Sequence, residues 1–180
     1  MNATPRYATP RYDAIARSLH WIIALGIIAE IVLGLGHDSL EDSLPFAIMP
    51  VHKAIGLTIL LLSLARLGWR LGHTPPPLPA AMPGWQKGSA HGLHWLFYAM
   101  MIGVPLSGWI MSSAGSYPLQ WFGLFDIPKL PVAKGSLLAD MAHEGHELVG
   151  KLFIPLLLLH IVAAVYHQYV VRDGVLRRML

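Results

Sequence analysis

Residues 152–171 read LFIPLLLLHIVAAVYHQYVV, a run of twenty residues without a formal charge between Lys151 and Arg172. A helix of about 20 residues crosses a hydrocarbon layer about 30 Å thick, because each residue adds about 1.5 Å. A backbone in lipid must satisfy its own hydrogen bonds, and a helix does this within one segment. The stretch is therefore predicted to be a transmembrane helix.

Three further apolar stretches of similar length precede this one along the chain. Together the four predict an all-α fold, an integral membrane four-helix bundle that forms a single domain over residues 1–180. The predicted helices span about residues 15–36, 51–71, 91–112 and 143–171.

The composition supports a membrane protein and excludes several other classes. Hydrophobic residues make up 54% of the chain and charged residues 13%, against roughly 25% charged in soluble domains. So few charges cannot cover a water-facing surface, and such high hydrophobicity disfavours disorder. The chain has no cysteine, which excludes disulfides, thiolate metal sites, iron–sulfur clusters and covalent haem attachment through CxxCH.

The basic residues are unevenly distributed, and this asymmetry predicts the topology. Nine of the thirteen Lys and Arg residues lie in the N-terminal tail, the second connection or the C-terminal tail, whereas most acids lie in the first and third connections. The positive-inside rule therefore predicts that both termini are cytoplasmic. On this interpretation the basic pI reflects topology, and no nucleic-acid partner is expected.

Ten histidines are many for this composition, and by position four of them form two pairs. His146 and His160 are fourteen residues apart, which is about 40° short of four helical turns and a rise of roughly 21 Å. Both therefore face the same side of the fourth helix at different depths. By depth, His20 is the partner of His160, and His52 is the partner of His146.

The residues four positions after these histidines support the same selection. A flat cofactor ligated by a helical histidine must lie close to that helix, so the neighbour at i+4 should be small. The other six histidines are followed there by larger residues. The four small neighbours are Ala24, Gly56, Gly150 and Ala164.

Two stacked histidine pairs in a four-helix bundle are the pattern expected for two haems. Imidazole is a good ligand of haem iron, and two imidazoles per iron leave no open position, so the iron would transfer electrons. Without CxxCH the haems would be two non-covalent haem b groups. The alternatives are histidines that hydrogen-bond between helices, and a zinc or copper site, although such a site needs ligands at one depth.

The chain resembles the bacterial cytochrome b561 family of di-haem membrane proteins. The resemblance covers all four helices in order. It implies haem-iron ligation by His20, His52, His146 and His160, a place in the bacterial inner (plasma) membrane, and electron transfer between a donor and membrane quinone. Glu30 and a duplicated ATPRY at residues 3–12 depart from the family pattern. The matching segments are RYDAIARSLHW (11–21), VHKAIG (51–56), TPPPLP (74–79), AHGLHWLFY (90–98), GHELVGKLF (145–153) and LLLLHIVAAVYHQYVVRDGVLRRM (156–179).

The resemblance also suggests an activity. One type of member oxidises superoxide at the outer face and reduces ubiquinone, whereas related four-helix cytochromes anchor hydrogenases or formate dehydrogenases. We therefore expect electron transfer from an outer-face donor, with superoxide as the leading candidate, to ubiquinone. The other hypotheses are a cytochrome subunit docked to a hydrogenase or dehydrogenase, a haem-free transporter or interaction protein, and a haem enzyme with an open iron site.

Several supporting residues have both a functional and an ordinary interpretation. Haem propionates need cations, and each candidate cation could instead be an interfacial side chain that extends toward water. Arg17 and Arg66 are the candidates for the inner haem, and Lys53 and Lys151 for the outer haem. His91 and His94 are candidates for hydrogen bonds to a quinone or a propionate, or form a pair at the helix end.

Glu30 is the only formal charge in the first apolar stretch. It could relay the proton that quinone reduction requires, or it could be an acid at the membrane interface.

Overall fold

The structure is a computed structural model that describes residues 10–40, 43–44 and 47–180. Most of the repeated ATPRY segment therefore lies outside the described residues. Four long helices dominate the described part, and each is long and apolar enough to cross a membrane. They are α1 (Ala14–Leu40), α2 (Ile48–Gly72), α3 (Gly84–Ala114) and α4 (Leu137–Tyr166), and α4 continues into a π-helical turn (His167–Val171).

All four helices extend beyond the bounds expected from hydropathy, most of all at the starts of α3 and α4. The expected starts near residues 91 and 143 were too late, because a charged residue near each start, Lys87 in α3 and Asp140 in α4, interrupts the apolar run without ending the helix. Ser136 caps α4, since its hydroxyl accepts a hydrogen bond from the Ala139 backbone N–H. Asp13 does the same for Ala16 at the start of α1.

Consecutive helices pack against each other, α1 on α2, α2 on α3 and α3 on α4. Between them lies a small core of Ile23, Ile59, Phe97, Tyr98, Met100, Met101 and Phe153. Many large apolar side chains lie instead on the outer surface of the bundle, among them Leu25, Leu61 and Val162. An outward apolar surface is what helices in lipid require, because the hydrocarbon replaces water as the solvent.

The connections between the helices differ in length, and the one between α3 and α4 is long. Residues 74–79, TPPPLP, form neither helix nor strand, as their prolines predict. Between α3 and α4 a two-stranded antiparallel hairpin forms from β1 (Gln120–Trp121) and β2 (Phe125–Asp126). The Trp121 indole N–H donates to the Thr58 hydroxyl at 2.9 Å and so attaches the hairpin to α2.

The C-terminal segment closes the end of the bundle at which α1 begins. The Tyr12 backbone N–H donates to the Arg178 carbonyl, and the Trp21 indole N–H donates to the Met179 carbonyl at 2.7 Å. The buried Arg178 side chain donates in turn to the Pro77 carbonyl. The start of α1, the C terminus and the 74–79 segment thus lie at the same end.

Candidate functional site

Two pairs of histidine rings lie side by side within the bundle. His52 on α2 lies beside His146 on α4, with ring centres 6.1 Å apart and ring planes at 81°. Farther along α4, His160 lies beside His20 of α1, at 6.3 Å and 71°. The structure thus brings together both pairs that depth and helical spacing matched.

The ring separations suit one metal ion between the two members of each pair. An imidazole nitrogen lies about 2 Å from the metal that it binds, and the ring centre lies about 1 Å farther away. Two imidazoles on opposite sides of one ion are therefore about 6 Å apart, measured between ring centres. Within residues 10–40, 43–44 and 47–180, no group of three or more metal-ligating side chains forms a site, so the arrangement consists of pairs.

A cavity of about 480 Å³ surrounds the His52–His146 pair. It is largely apolar, and Met100, Met101 and Phe153 of the core form part of its wall. Glycine has no side chain to fill the space beside it, so glycines in the wall widen such a cavity. One glycine from each of the four helices lines it: Gly34, Gly56, Gly108 and Gly150.

Two of these glycines press against the histidine rings. A Cβ atom at Gly108 would lie 3.1 Å from Cε1 of His146, and one at Gly34 would lie 3.4 Å from Cε1 of His52. Both approaches are at or below ordinary van der Waals distance, so the rings occupy the space that a larger residue would fill. Sequence analysis missed Gly34 and Gly108, because periodicity within one helix does not show which face meets a ring on another helix.

The two glycines that sequence analysis selected, Gly56 and Gly150, have more open surroundings. A Cβ at Gly56 would meet only Glu30 Oε2, at 3.8 Å, among the residues that the structure describes. One at Gly150 would meet no described atom within 4 Å. Space beside both histidines agrees with the argument that a flat cofactor needs small neighbours.

The Nδ1 atoms of His52 and His146 face acceptors. Nδ1 of His146 lies 2.9 Å from the Val104 carbonyl oxygen and 3.3 Å from the Ser107 hydroxyl. Nδ1 of His52 lies 2.7 Å from Oε2 of Glu30. The Val104 carbonyl keeps the proton on Nδ1 of His146, and the Glu30 carboxyl group lies beside Nδ1 of His52, so Nε2 of each ring is left as the atom that can ligate a metal.

The His20–His160 pair has a third histidine beside it. The ring of His94 is 5.8 Å from that of His160, and the edge-on ring of Phe97 is 5.5 Å from it. His91, which was considered together with His94, lies instead on the exposed side of α3. The structure therefore separates these two candidates, and only His94 of the two lies beside His160.

The cations considered for the haem propionates lie at opposite ends of the bundle, the lysines at one end and the arginines at the other. Lys53 and Lys151 line the cavity around the His52–His146 pair, where Lys151 also pairs with Glu147. Arg17 donates to the Leu180 carbonyl, and Arg66 donates to the Ala16 carbonyl. Arg17, Arg66 and Lys151 are therefore each already bonded to protein through one nitrogen.

Arg66 and Arg17 also have features that suit an anionic group. Arg66 lines a second, more polar cavity of about 600 Å³ with Arg70 and Trp69. Nε of Arg17 is buried and has no hydrogen-bond partner within the described part of the chain. Buried donors of this kind are normally satisfied, so the residues present fit an anionic group such as a propionate.

These features together fit haem. Each pair offers two imidazoles at a separation suited to one iron, glycines widen the cavity beside His52 and His146, and cations lie near both pairs. A family model described as prokaryotic cytochrome b561 matches residues 11–180. The chain belongs to the prokaryotic cytochrome b561 family. The resemblance found in the sequence is thereby confirmed.

Curated relatives resemble this cytochrome b561 chain over nearly its whole length. Cytochrome b561 homolog 2 of Escherichia coli (strain K12) is 30% identical over 173 residues, which cover 94% of this chain and 91% of the relative. Probable superoxide oxidase CybB of Yersinia pestis is 29% identical, with 94% and 96% covered. Cytochrome b562 of Cereibacter sphaeroides is 28% identical, with 95% and 96% covered.

Membership of the cytochrome b561 family establishes the general role. The protein is a haem-binding electron carrier and a multi-pass protein of the bacterial inner membrane, as the four apolar helices also indicate. Haem b, when bound, supplies an iron that takes up and releases one electron.

Proposed function

We propose that the protein holds two b haems, one between His52 and His146 and one between His20 and His160, and carries electrons across the membrane from an outer donor to ubiquinone. The observation that carries this proposal is the ring separation of 6.1 Å in one pair and 6.3 Å in the other. Two imidazoles at each site leave no open iron position, which favours electron transfer over oxygen activation.

The residues between the two pairs support transfer through the bundle. Phe97 touches His160, and it stacks on Phe153 at a centroid distance of 5.4 Å. Phe153 in turn lines the cavity around His52 and His146. Phe97 and Phe153 thus form a continuous series of ring contacts between the two pairs.

The direction of transfer rests on the predicted topology. If both termini are cytoplasmic, the His52–His146 end faces the outside, where an anionic donor would meet lysines that attract it. Superoxide is such a donor, and one relative is named a probable superoxide oxidase. Two superoxide ions each lose one electron to become dioxygen, and two electrons with two protons reduce ubiquinone to ubiquinol. The lysines are Lys53, Lys129, Lys134 and Lys151.

The remaining candidates take supporting roles in this proposal. Lys53 and Lys151 would pair with the propionates of the haem at His52 and His146, and Arg17 and Arg66 with those of the other haem. His94 lies beside His160 and could therefore hydrogen-bond a quinone or a propionate there. The exposed His91 would reach such a group only from the surface of α3.

Haem quantitation with reduced-minus-oxidised spectroscopy tests the proposal. We expect two low-spin b haems per chain, and His146→Ala should lose one of them and keep the other. His73→Ala is the matched control, because His73 stacks on Trp69 at 3.8 Å in the connection after α2, and it should keep both. A colourless protein, or two haems retained in His146→Ala, would overturn the proposal.

The donor and acceptor need a separate experiment. Proteoliposomes that contain the haem-loaded protein and ubiquinone should form ubiquinol when superoxide is generated outside them. Ubiquinol formation no faster than in protein-free liposomes would refute superoxide as the donor. Co-purification of a second chain with dehydrogenase or hydrogenase activity would favour the anchoring role instead.

A further inference from the structure

Glu30 is a partly buried acid on the apolar helix α1, and its surroundings restrict what it can do. Its side chain is 15% exposed and lines the cavity that surrounds the His52–His146 pair. A charged carboxylate in an apolar interior is costly unless a partner compensates it. The partner here is His52, whose Nδ1 lies 2.7 Å from Oε2.

The contact between Glu30 and His52 is electrostatic in character. The two atoms stand at ion-pair distance without the angle of a hydrogen bond, and Oε1 has no hydrogen-bond partner among the described residues. The carboxyl group therefore has no competing donor there, and its one close polar contact is with the imidazole of His52.

The partner ring is held differently. Nδ1 of His146 faces the neutral carbonyl of Val104 at 2.9 Å and the hydroxyl of Ser107 at 3.3 Å. The two rings of one pair thus have unlike supports, a carboxylate on α1 for His52 and neutral groups on α3 for His146. A carboxylate behind a ligating histidine fixes the ring and raises its basicity, more than a neutral carbonyl does.

We propose that Glu30 is a positioning residue that aims Nε2 of His52 at the iron and lowers the reduction potential of the haem held by the His52–His146 pair. This inference rests on the proposed function, because it requires a haem at that pair. A more basic imidazole and a nearby negative charge both stabilise the oxidised, more positive iron, and so lower its potential.

The other pair has no such carboxylate beside it. The salt bridges of the described residues include none at His20 or His160. An effect of Glu30 is therefore expected at the haem held by His52 and His146 and not at the other haem.

Potentiometric titration of the haem-loaded protein in detergent tests this role. Glu30→Gln keeps the size and an acceptor oxygen but removes the charge, so we expect the midpoint potential of one haem to rise and that of the other to stay constant. The electron paramagnetic resonance spectrum of the oxidised protein should show a shift in one of its two low-spin signals. Glu30→Asp, which keeps the charge, should restore part of the wild-type potential.

Glu144→Gln is the matched control, since it removes one negative charge from an exposed position on α4, two residues from His146. Both potentials should stay at their wild-type values in this variant. Equal shifts in Glu30→Gln and Glu144→Gln, or no shift in Glu30→Gln, would overturn the inference.

Two further results have defined meanings. Loss of one haem from Glu30→Gln with full retention of the other supports positioning, because a misfolded bundle would lose both. Loss of both haems from Glu30→Gln and Glu30→Asp alike would overturn the inference, because Glu30 would then be a purely structural residue. Wild-type protein with no haem at the His52–His146 pair would instead refute the proposed function.

Discussion

One face of α4 carries a member of each histidine pair, yet the two ends of the bundle surround these rings differently. His146 and its partner His52 lie in a cavity lined by four glycines, with Glu30 behind one ring. His160 and its partner His20 lie beside the rings of Phe97 and Trp21, with His94 next to His160.

The difference shows that the same ligand geometry can be supported in two ways. At the His52–His146 pair, each ring has open space beside it and a polar group near its Nδ1 atom. At the His20–His160 pair, Phe97 packs against His160, and the third imidazole of His94 lies beside it. Variants can therefore affect the two sites separately.

The largest effect is expected from the histidines at the crowded end. His20→Ala should remove one haem, because it deletes a proposed ligand, whereas His94→Ala should keep both haems at near wild-type content. Haem quantitation after purification in the same detergent makes the comparison, with His91→Ala as a control on the same helix as His94. One haem lost from His94→Ala and none from His20→Ala would reassign the ligand of His160.

A smaller effect is expected from filling the glycine-lined cavity. Gly108→Ala would place a Cβ 3.1 Å from the ring of His146, and overpacking of this kind costs about 1–3 kcal/mol. Haem content at the His52–His146 pair should fall while the other haem is retained. The loss of haem is measured as the decrease in amplitude of the reduced α-band.

Gly103→Ala on the same helix is the control for Gly108→Ala, because a Cβ there meets nothing within 4 Å in the part of the chain that is described. This variant should keep both haems. Equal loss in the two variants would mean that helix composition, and not contact with His146, explains the effect.

Much of this architecture could be predicted from the sequence. Four charge-poor stretches of membrane-spanning length predicted the helices, and the fourteen-residue spacing of His146 and His160 predicted their shared face. Both properties are periodic within a single segment, so they do not depend on how the helices pack.

Contacts between helices could not be predicted in the same way. The approach of Glu30 to His52, the glycines that touch the rings and the place of His94 beside His160 all depend on how each helix is rotated against its neighbour. The starts of α3 and α4 were missed because Lys87 and Asp140 interrupt the apolar runs on which the expected bounds were based.

The smallest effect concerns the end that the C-terminal segment closes. The backbone N–H of Ala16 and then the indole N–H of Trp69 hold the pKa of the Asp13 carboxyl below its usual value of 3.8. Stability from these hydrogen bonds is therefore fully present above that usual pKa and is lost as the pH falls through the lowered pKa of the folded state.

Thermal unfolding in detergent should show this dependence. Asp13→Ala should unfold at a slightly lower temperature than wild type at pH 7, and the difference should shrink below about pH 4, where the unfolded carboxyl is protonated. Asp13→Asn, which keeps a capping oxygen, should differ less from wild type at pH 7. A difference for Asp13→Ala that is the same at pH 7 and pH 3 would exclude the carboxylate as its source.

The most direct test of the central claim is an experimental density map of the protein purified with its native haem. The account predicts two porphyrins, one with His52 and His146 on opposite sides of its iron and one with His20 and His160 in the same relation. Lipid or packed side chains at either pair, or an iron ligated by His94 in place of His20, would contradict it.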